Sequence, residues 1–518
     1  LFIALPKQNE VELYFINSLS NYPMQTLLNS SQMRDADANT ITTAQINSLD
    51  LMEKAAKAFV KVFVKEVKDE MASIAVICGQ GNNGGDGLAI ARLLKRAAYQ
   101  HIKVYLINFG DKRSKDFESN LAKLIKRKIK LVTINNADDF DLTESVVIDA
   151  VFGAGLNRSL SAAHKTVFAK INAVGKKIFA VDVPSGFPPE GKVPMPYEGV
   201  RADLAICFQR PKINFFFPES AVALKRFKTV EIGLSETFIE NQQSDWLLTT
   251  ADDIVKLIKP REKFSHKGTY GHVLLFAGNT NTMGAALLAA NACLHTGAGL
   301  TTVCLPESGL TALNTALPEV MALPRTRAFD ADLEKFTAIG VGPGLGTAEE
   351  EVKIFEKVIR SGKPIVIDAD ALNIISERTA LLALLPQGSI LTPHLKEFDR
   401  IFGHHQTWWD RLETARCESF NRKIVIVLKN QYTFVCLPNG TVKINPTGNA
   451  AMASGGMGDV LTGMIVALLA QSYAPAEAAT LAVYLHGKTG DRLAKKYAVV
   501  TASAVVNEIS KVIKKLGS

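Results

Sequence analysis

Residues 79–87 read GQGNNGGDG, between the apolar run SIAVIC (73–78) and LAIARLLKRA (88–97). The first six residues fit the G-x-G-x-x-G pattern of a strand-to-helix turn whose backbone approaches a dinucleotide. Asp86 strains that reading. A carboxylate beside a pyrophosphate repels it, whereas a carboxylate beside a bound cation and a neutral part of a substrate is useful. The stretch therefore points to a strand-turn-helix unit with a ligand at the strand exit.

Outward from this turn the rhythm repeats. SIAVICG, KVYLINF, SVVIDAVFG, KIFAVDVPSG and DLAICF read as strands, spaced widely enough for crossover helices, which implies a mostly parallel sheet. The polar, aperiodic segment SETFIENQQSDW (235–246) reads as a domain boundary. Beyond it come HVLLFAG, TTVCLP, AIGVGPG, PIVIDAD, GSILTPH and IVIVLKN, then a hairpin with its turn at Pro438–Gly440, where Asn-Gly suits positive φ angles. The fold class expected is α/β with two domains, a Rossmann-like parallel sheet over 31–235 and a second α/β domain over 245–515.

The chain has 518 residues, 47% of them hydrophobic and 21% charged, which suits about two globular α/β domains. Its net charge of +8 is dispersed, and the knot KLIKRKIK (123–130) has no interleaved aromatics to stack bases, so it reads as a solvated helix face rather than a nucleic-acid site. The six cysteines form no C-x-x-C pair and read as buried thiols. The apolar stretch VLTGMIVALLA (460–470) is about half the ~20 residues a membrane span needs. LFIALPKQNEVELYF (1–15) makes a poor signal peptide, so a cytoplasmic location with no membrane partner is expected.

In open parallel sheets ligands sit beyond the carboxyl ends of strands. Three exits carry side-chain oxygens: Asn82, Asn83 and Asp86; Asp149; and Asp182 with Ser185. Asn83, Asp149 and Ser185 offer an amide, a carboxylate and a hydroxyl, the donors a hard cation prefers. Each alone also serves as a turn residue. A dinucleotide dehydrogenase would need an acid closing the second strand, and the available Asp111 falls late, in a polar turn.

In the second half SGGMGDVLTG (454–463) leads into an apolar helix starting near Met457. Its backbone N–H groups at a positive helix end suit a phosphate. Asp459 there reads either as a general base for phosphoryl transfer or as a residue favouring the helix dipole.

The loop 79–87, DAVFGAG (149–155) and VDVPSG (181–186), preceded by QMRDAD (32–37) and LMEKA (51–55), resemble the NAD(P)HX epimerase domain, also called the YjeF N-terminal domain, over about 31–234. The resemblance implies that Asn82, Asn83, Gly84, Gly85 and Asp86, the segment Gly153, Ala154, Gly155, Leu156, Asn157, Arg158 and Ser159, and Asp182 hold hydrated nicotinamide dinucleotide. It also implies that Asn83, Asp149 and Ser185 hold K+. The motifs HKGTYGHVLLFAG, MGAALLAA, GVGPGLG, DADALN, LTPHLKEF and GNAAMASGGMGDVLTG make the second half resemble the ribokinase-like ADP- or ATP-dependent NAD(P)HX dehydratases. There the family's roles fall on Gly284, Gly346 and His394 for the hydrate. They place Lys429, Asn430, Gln431, Tyr432, Thr433, Gly455, Gly456 and Gly458 at the nucleotide and make Asp459 the substrate-binding base. The loop KNQYT (429–433) lacks the family's usual glycines, and TPHLKEF lacks its Pro-Gly.

Together the resemblances imply a bifunctional enzyme that epimerises R and S NADHX and NADPHX and dehydrates the S form using ADP or ATP with Mg2+. Asp182 and Asp459 are the catalytic candidates, and a homo-oligomer is expected. A vitamin or sugar kinase, or a dinucleotide-sensing protein without turnover, shares some of these loops. A kinase leaves the first domain without a role, and the intact Asp459 speaks against a sensor.

Overall fold

The computed structural model describes residues 25–110, 112–156 and 159–517. Asp111, Asn157, Arg158 and the stretch 1–15 lie outside the described residues. The chain divides into two compact units, residues 27–242 and the part from Gln243 onward, with strand β1 (Gln25–Thr26) belonging to the second.

The first unit contains β2 (Ile74–Cys78), β3 (Ile102–Ile107), β4 (Lys130–Ile134), β5 (Val146–Ala150), β6 (Lys177–Val181), β7 (Leu204–Phe208) and β8 (Phe227–Val230). All pair in parallel, in the order β4-β3-β2-β5-β6-β7-β8. The order reverses between β2 and β5, and this switch point is where a crevice opens beyond the strand ends. Every residue of β2 and β5 is buried, which is why both read as continuous apolar runs. The helix Ser48–Glu66 buries Leu51, Met52, Ala55, Ala56, Phe59, Val62 and Phe63, a 3–4 spacing that makes one apolar face.

The quoted turn is shorter than its glycines suggest. Gly81 is the N-cap of a helix over Asn82–Arg96, so GGDG lies inside that helix. A Cβ on Gly84 would stand 1.9 Å from the Gly79 carbonyl oxygen, and one on Gly87 would stand 2.6 Å from Ala150 Cβ. These glycines serve the packing of helix on sheet as much as any ligand.

The second unit contains β9 (Trp246–Leu248), β10 (His272–Phe276), β11 (Leu300–Leu305), β12 (Met321–Pro324), β13 (Ala338–Val341), β14 (Ile365–Ile367), β15 (Ile390–Leu391), β16 (Val425–Leu428), β17 (Thr433–Cys436) and β18 (Val442–Asn445). With β1 they form one sheet, β1-β9-β18-β17-β16-β15-β14-β13-β10-β11-β12, parallel from β12 through β16. The helix Met457–Ala470 buries Val460, Leu461, Met464, Ile465, Val466 and Leu468 and joins the core of this unit. Both units are thus α/β with parallel sheets, the class that the alternation of runs implies.

Several local expectations change. The segment 235–246 is not aperiodic throughout: it holds a short helix, Glu236–Glu240, capped by Ser235, and ends on the first residue of β9. The lysine knot is only partly helical, because the helix Lys115–Ile125 stops and β4 begins at Lys130. In the β17–β18 hairpin only Gly440 has positive φ, while the Asn439 side chain accepts from the Thr441 N–H. All six cysteines are free, and Cys417 is exposed rather than buried.

Candidate active sites

At the first unit's switch point Asp149, the fourth residue of β5, is fully buried. Its carboxylate accepts from the Ser185 hydroxyl at 2.6 Å, the Ser185 N–H at 2.7 Å and the Val151 N–H at 3.2 Å. Ser185 Oγ in turn accepts from the Phe152 N–H at 2.8 Å. Burial pushes Asp149 up to about 6 despite these donors, and among the described residues no basic side chain is ion-paired with it. Asn83 sits on the neighbouring helix with its Oδ1 3.1 Å from where a Gly153 Cβ would lie, and its Nδ2 is buried without a partner. A desolvated carboxylate lacking a cationic partner, beside a hydroxyl and an amide, suits a weakly hydrated monovalent cation in the chemistry of its donors.

Asp182 follows β6 directly and holds φ of 65°, a left-handed conformation that Asp tolerates better than most residues. Its Oδ1 accepts from the Phe208 N–H at 3.0 Å and from Lys212 Nζ at 2.8 Å. Lys212 was not singled out in the sequence. It follows β7, and its side chain is only 4% exposed. Burial disfavours its ammonium, yet Asp182 outweighs that and holds it above the ordinary lysine range. Asp86, one turn into its helix, is pushed well above the carboxylate range by burial, then by Asp182, Asp37 and Asp116. Gly153 to Leu156 form a turn whose Ala154 carbonyl accepts from Ser30 Oγ at 3.2 Å, while Asn82 and Ser159 are exposed.

In the second unit Gly456 caps the helix Met457–Ala470 with φ of 88° and supplies no side-chain bond to it, so first-turn N–H groups remain open to an anion. Asp459 lies in that turn. Beside it Asp368, 2% exposed at the exit of β14, accepts from Lys429 Nζ at 2.9 Å and Thr462 Oγ1 at 2.7 Å. A cavity of about 420 Å³ opens here, lined by Lys429, Asn430, Gln431, Thr433 and Gly458 together with Asn449, Met452, Val483 and His486. Tyr432, Gly455 and Gly456 fall outside its lining. His486 carries a buried Nε2 with no hydrogen-bond partner, and burial, then Lys429, pushes its imidazole down to about 4. His486 thus brings an uncharged imidazole, with one ring nitrogen unsatisfied, to the cavity wall.

Two family models match the chain, that of the YjeF-related protein N-terminus over residues 48–214 and that of NAD(P)H-hydrate dehydratase over residues 273–513. The chain is 34% identical to the bifunctional NAD(P)H-hydrate repair enzyme Nnr of Moorella thermoacetica, over 91% of this chain and 93% of that one. The chain belongs to the family of bifunctional NAD(P)H-hydrate repair enzymes. The Escherichia coli member is 31% identical over 91% of this chain and 90% of its own. Among solved structures, the ADP/ATP-dependent NAD(P)H-hydrate dehydratase of Bacillus subtilis co-crystallised with ATP/Mg2+ is 33% identical, covering 52% of this chain and 97% of that one, with a TM-score of 0.47.

The remaining family positions scatter more. The Gly346 N–H donates to Asp370 Oδ2 at 2.8 Å, and Gly284 is exposed near the start of the helix Met283–Thr296. His394 is an N-cap: its Nδ1 accepts from the N–H groups of Lys396 and Glu397, and its own N–H donates to Glu397, leaving a ring 49% exposed. Where Pro-Gly is missing, Leu395 and Lys396 open a capped helix, Leu395–Phe402. Lys212, Asp368 and His486 escaped the sequence reading because the first two are ion-paired far along the chain, with Asp182 and Lys429, and the third is marked only by a buried Nε2 without a hydrogen-bond partner.

Proposed function

We infer that this chain repairs hydrated NADH and NADPH in two steps. The first unit, about residues 31–235, interconverts the R and S hydrates; the second, about 245–515, dehydrates the S form at the expense of ADP or ATP. Family membership supports the pair of activities. The observation that carries the chemistry is an open helix N-terminus with Asp459 in its first turn, where Met457 and Gly458 of the same turn line the cavity beside Lys429.

The ring hydroxyl lies on a carbon next to nitrogen, so the nitrogen lone pair can expel it once it is a good leaving group. In the second unit Asp459 takes the hydroxyl proton as its oxygen attacks the terminal phosphoryl group. The first-turn N–H groups steady the transferred phosphate, which then departs with the C–O electron pair as the nitrogen lone pair forms C=N. Loss of a proton to water from the neighbouring ring carbon, its C–H pair forming the C=C bond as the C=N pair returns to nitrogen, gives NADH. Lys429 to Thr433 and His486 hold the nucleotide, with which Mg2+ enters. In the first unit Asp182 moves the proton in a reversible step, and the Asn82–Asp86 and Gly153–Ser159 segments orient the ring. Asn83, Asp149 and Ser185 are the residues that would hold K+, which would neutralise the buried carboxylate. Free thiols, five of six buried, suit a reducing cytoplasm.

Purified protein given mixed hydrates, K+, Mg2+ and either nucleotide should regenerate NADH absorbance to completion. Recovery that does not depend on nucleotide, or accumulation of a stable phosphorylated alcohol, would overturn this reading in favour of a simple kinase or a binding protein.

A further inference from the structure

We propose that Asp37 is the proton donor of the epimerisation step, working across the ring from the Asp182 carboxylate that is ion-paired with Lys212. The proposal rests on the epimerase reading of the first unit. The helix Ser30–Thr43 that carries Asp37 is tied to the site. At its start Ser30 donates through Oγ to the Ala154 carbonyl at 3.2 Å and through its N–H to Glu190 at 3.1 Å. Near its end Thr40 Oγ1 accepts from the Ser235 N–H at 3.0 Å. Asp37 lies seven residues after Ser30, so it falls within roughly 20° of the same helical face, the face turned toward the Gly153–Leu156 turn.

Charge decides the role. Three carboxyls raise one another electrostatically here: Asp37, Asp86 on the helix Asn82–Arg96 and Asp182 at the exit of β6. Lys212, after β7, is the ammonium among them, and it is bonded to Asp182. A desolvated cluster of three carboxylates and one ammonium is unfavourable, so the unpaired members hold their protons to higher pH than an ordinary carboxyl. Asp37 is half-buried and has no hydrogen bond or ion pair among the described residues that would hold its charged form. Burial and the Asp182 charge push it up to about 6, while Lys212 pulls the other way. Asp86 is pushed up as well, by burial first and then by Asp182, Asp37 and Asp116, but Asp37 is the one on the helix face that Ser30 ties to the Gly153–Leu156 turn. Two neighbouring carboxyls with opposed environments make an acid and a base.

The step then balances. The Asp37 O–H proton passes to the ring hydroxyl, the C–O bond breaks with its electron pair going to oxygen, and water leaves as the nitrogen lone pair forms a C=N bond. Water adds to the opposite face, its oxygen forming the new C–O bond as the C=N pair returns to nitrogen. Its proton goes to the Asp182 carboxylate and from there back to Asp37, so nothing is consumed.

The test uses the full chain with pure R hydrate and no nucleotide, following S hydrate by chromatography as a function of pH. Wild type should slow as pH rises through about 6, where Asp37 loses its proton. Asp37→Asn should be slower by about 100-fold or more and should lose that limb. Asp37→Glu should keep activity with the limb displaced. Nucleotide-dependent dehydration of pure S hydrate reports folding of the second unit, and a thermal melt reports the first. If Asp37→Asn does not fold, Asp37→Glu still decides: a limb at the wild-type position overturns the proposal. So does a folded Asp37→Asn within three-fold of wild type. A wild-type chain that dehydrates S but never converts R overturns the epimerase reading itself, which is a different failure.

Discussion

Lys429 Nζ lies 2.9 Å from Asp368 Oδ1, and the pair leaves two neighbouring aspartates with opposed acidities. Burial alone would raise Asp368, but Lys429 and the Thr462 hydroxyl outweigh it and hold it below the usual carboxylate range. Asp459 has no such partner: burial, then Asp368, push it up to about 6. A base must be ionised to act, so nucleotide-dependent NADH recovery should fall as pH drops through about 6 and level off above it. Asp459→Asn should lower recovery by about 100-fold or more while R-to-S conversion stays at the wild-type rate. Recovery within a few-fold of wild type would remove Asp459 from the chemistry.

Lys429→Met tests the pair itself. Asp368 is 2% exposed, and leaving it charged with only threonine hydroxyls for partners should destabilise the second unit by about 3–5 kcal/mol. The double variant with Asp368→Asn should regain most of that loss in a denaturant titration. A single variant as stable as wild type would show that the ion pair contributes nothing.

His486 is the residue the cavity makes most exposed to experiment. His486→Phe should raise the nucleotide KM by about 10-fold, the cost of one lost hydrogen bond of about 1.4 kcal/mol, with little change in kcat. An unchanged KM for both ADP and ATP would mean that the orphaned Nε2 is only an unsatisfied core atom.

Ser185→Ala should weaken the dependence of epimerisation on potassium, because it removes both a hydroxyl oxygen and the 2.6 Å bond that orders Asp149. In wild type, potassium should support the reaction better than lithium, whose small radius does not suit donors spaced for a larger ion. Equal rates in the two salts would leave Asn83, Asp149 and Ser185 as turn residues.

The parallel sheets were legible because buried strands such as β2 and β5 are continuous apolar runs, and the strand exits followed from that topology. What the sequence hid was of two kinds. Edge strands were missed: β4 begins on the exposed Lys130, and β8 is only half-buried, so neither shows an apolar run. The partners of the named acids were also missed. Lys212 is 30 residues from Asp182, and Lys429 is 61 from Asp368, and nothing local marks a lysine as buried. The motif QMRDAD served only to show kinship, although Asp37 within it feels the charges of Asp182 and Lys212.

Asp182 gives the sharpest separation of the two chemistries. Asn is the substitution of choice, because φ of 65° at this position would strain Ala, whereas Asn, like Asp, tolerates the left-handed region. Given mixed hydrates and nucleotide, Asp182→Asn should recover the S fraction quickly and then stall, waiting on slow spontaneous conversion of R, while wild type runs to completion. The plateau is diagnostic: damage to the second unit would remove the fast phase as well. The complication is Lys212, whose buried ammonium loses its partner, at a cost of about 3–5 kcal/mol, so the single variant will melt earlier. Adding Lys212→Met removes the orphaned charge and should restore much of the melting temperature without restoring R conversion. If the double variant melts like wild type and also consumes both epimers at the wild-type rate, Asp182 only shapes the turn after β6, and the proton in the first unit moves through another group.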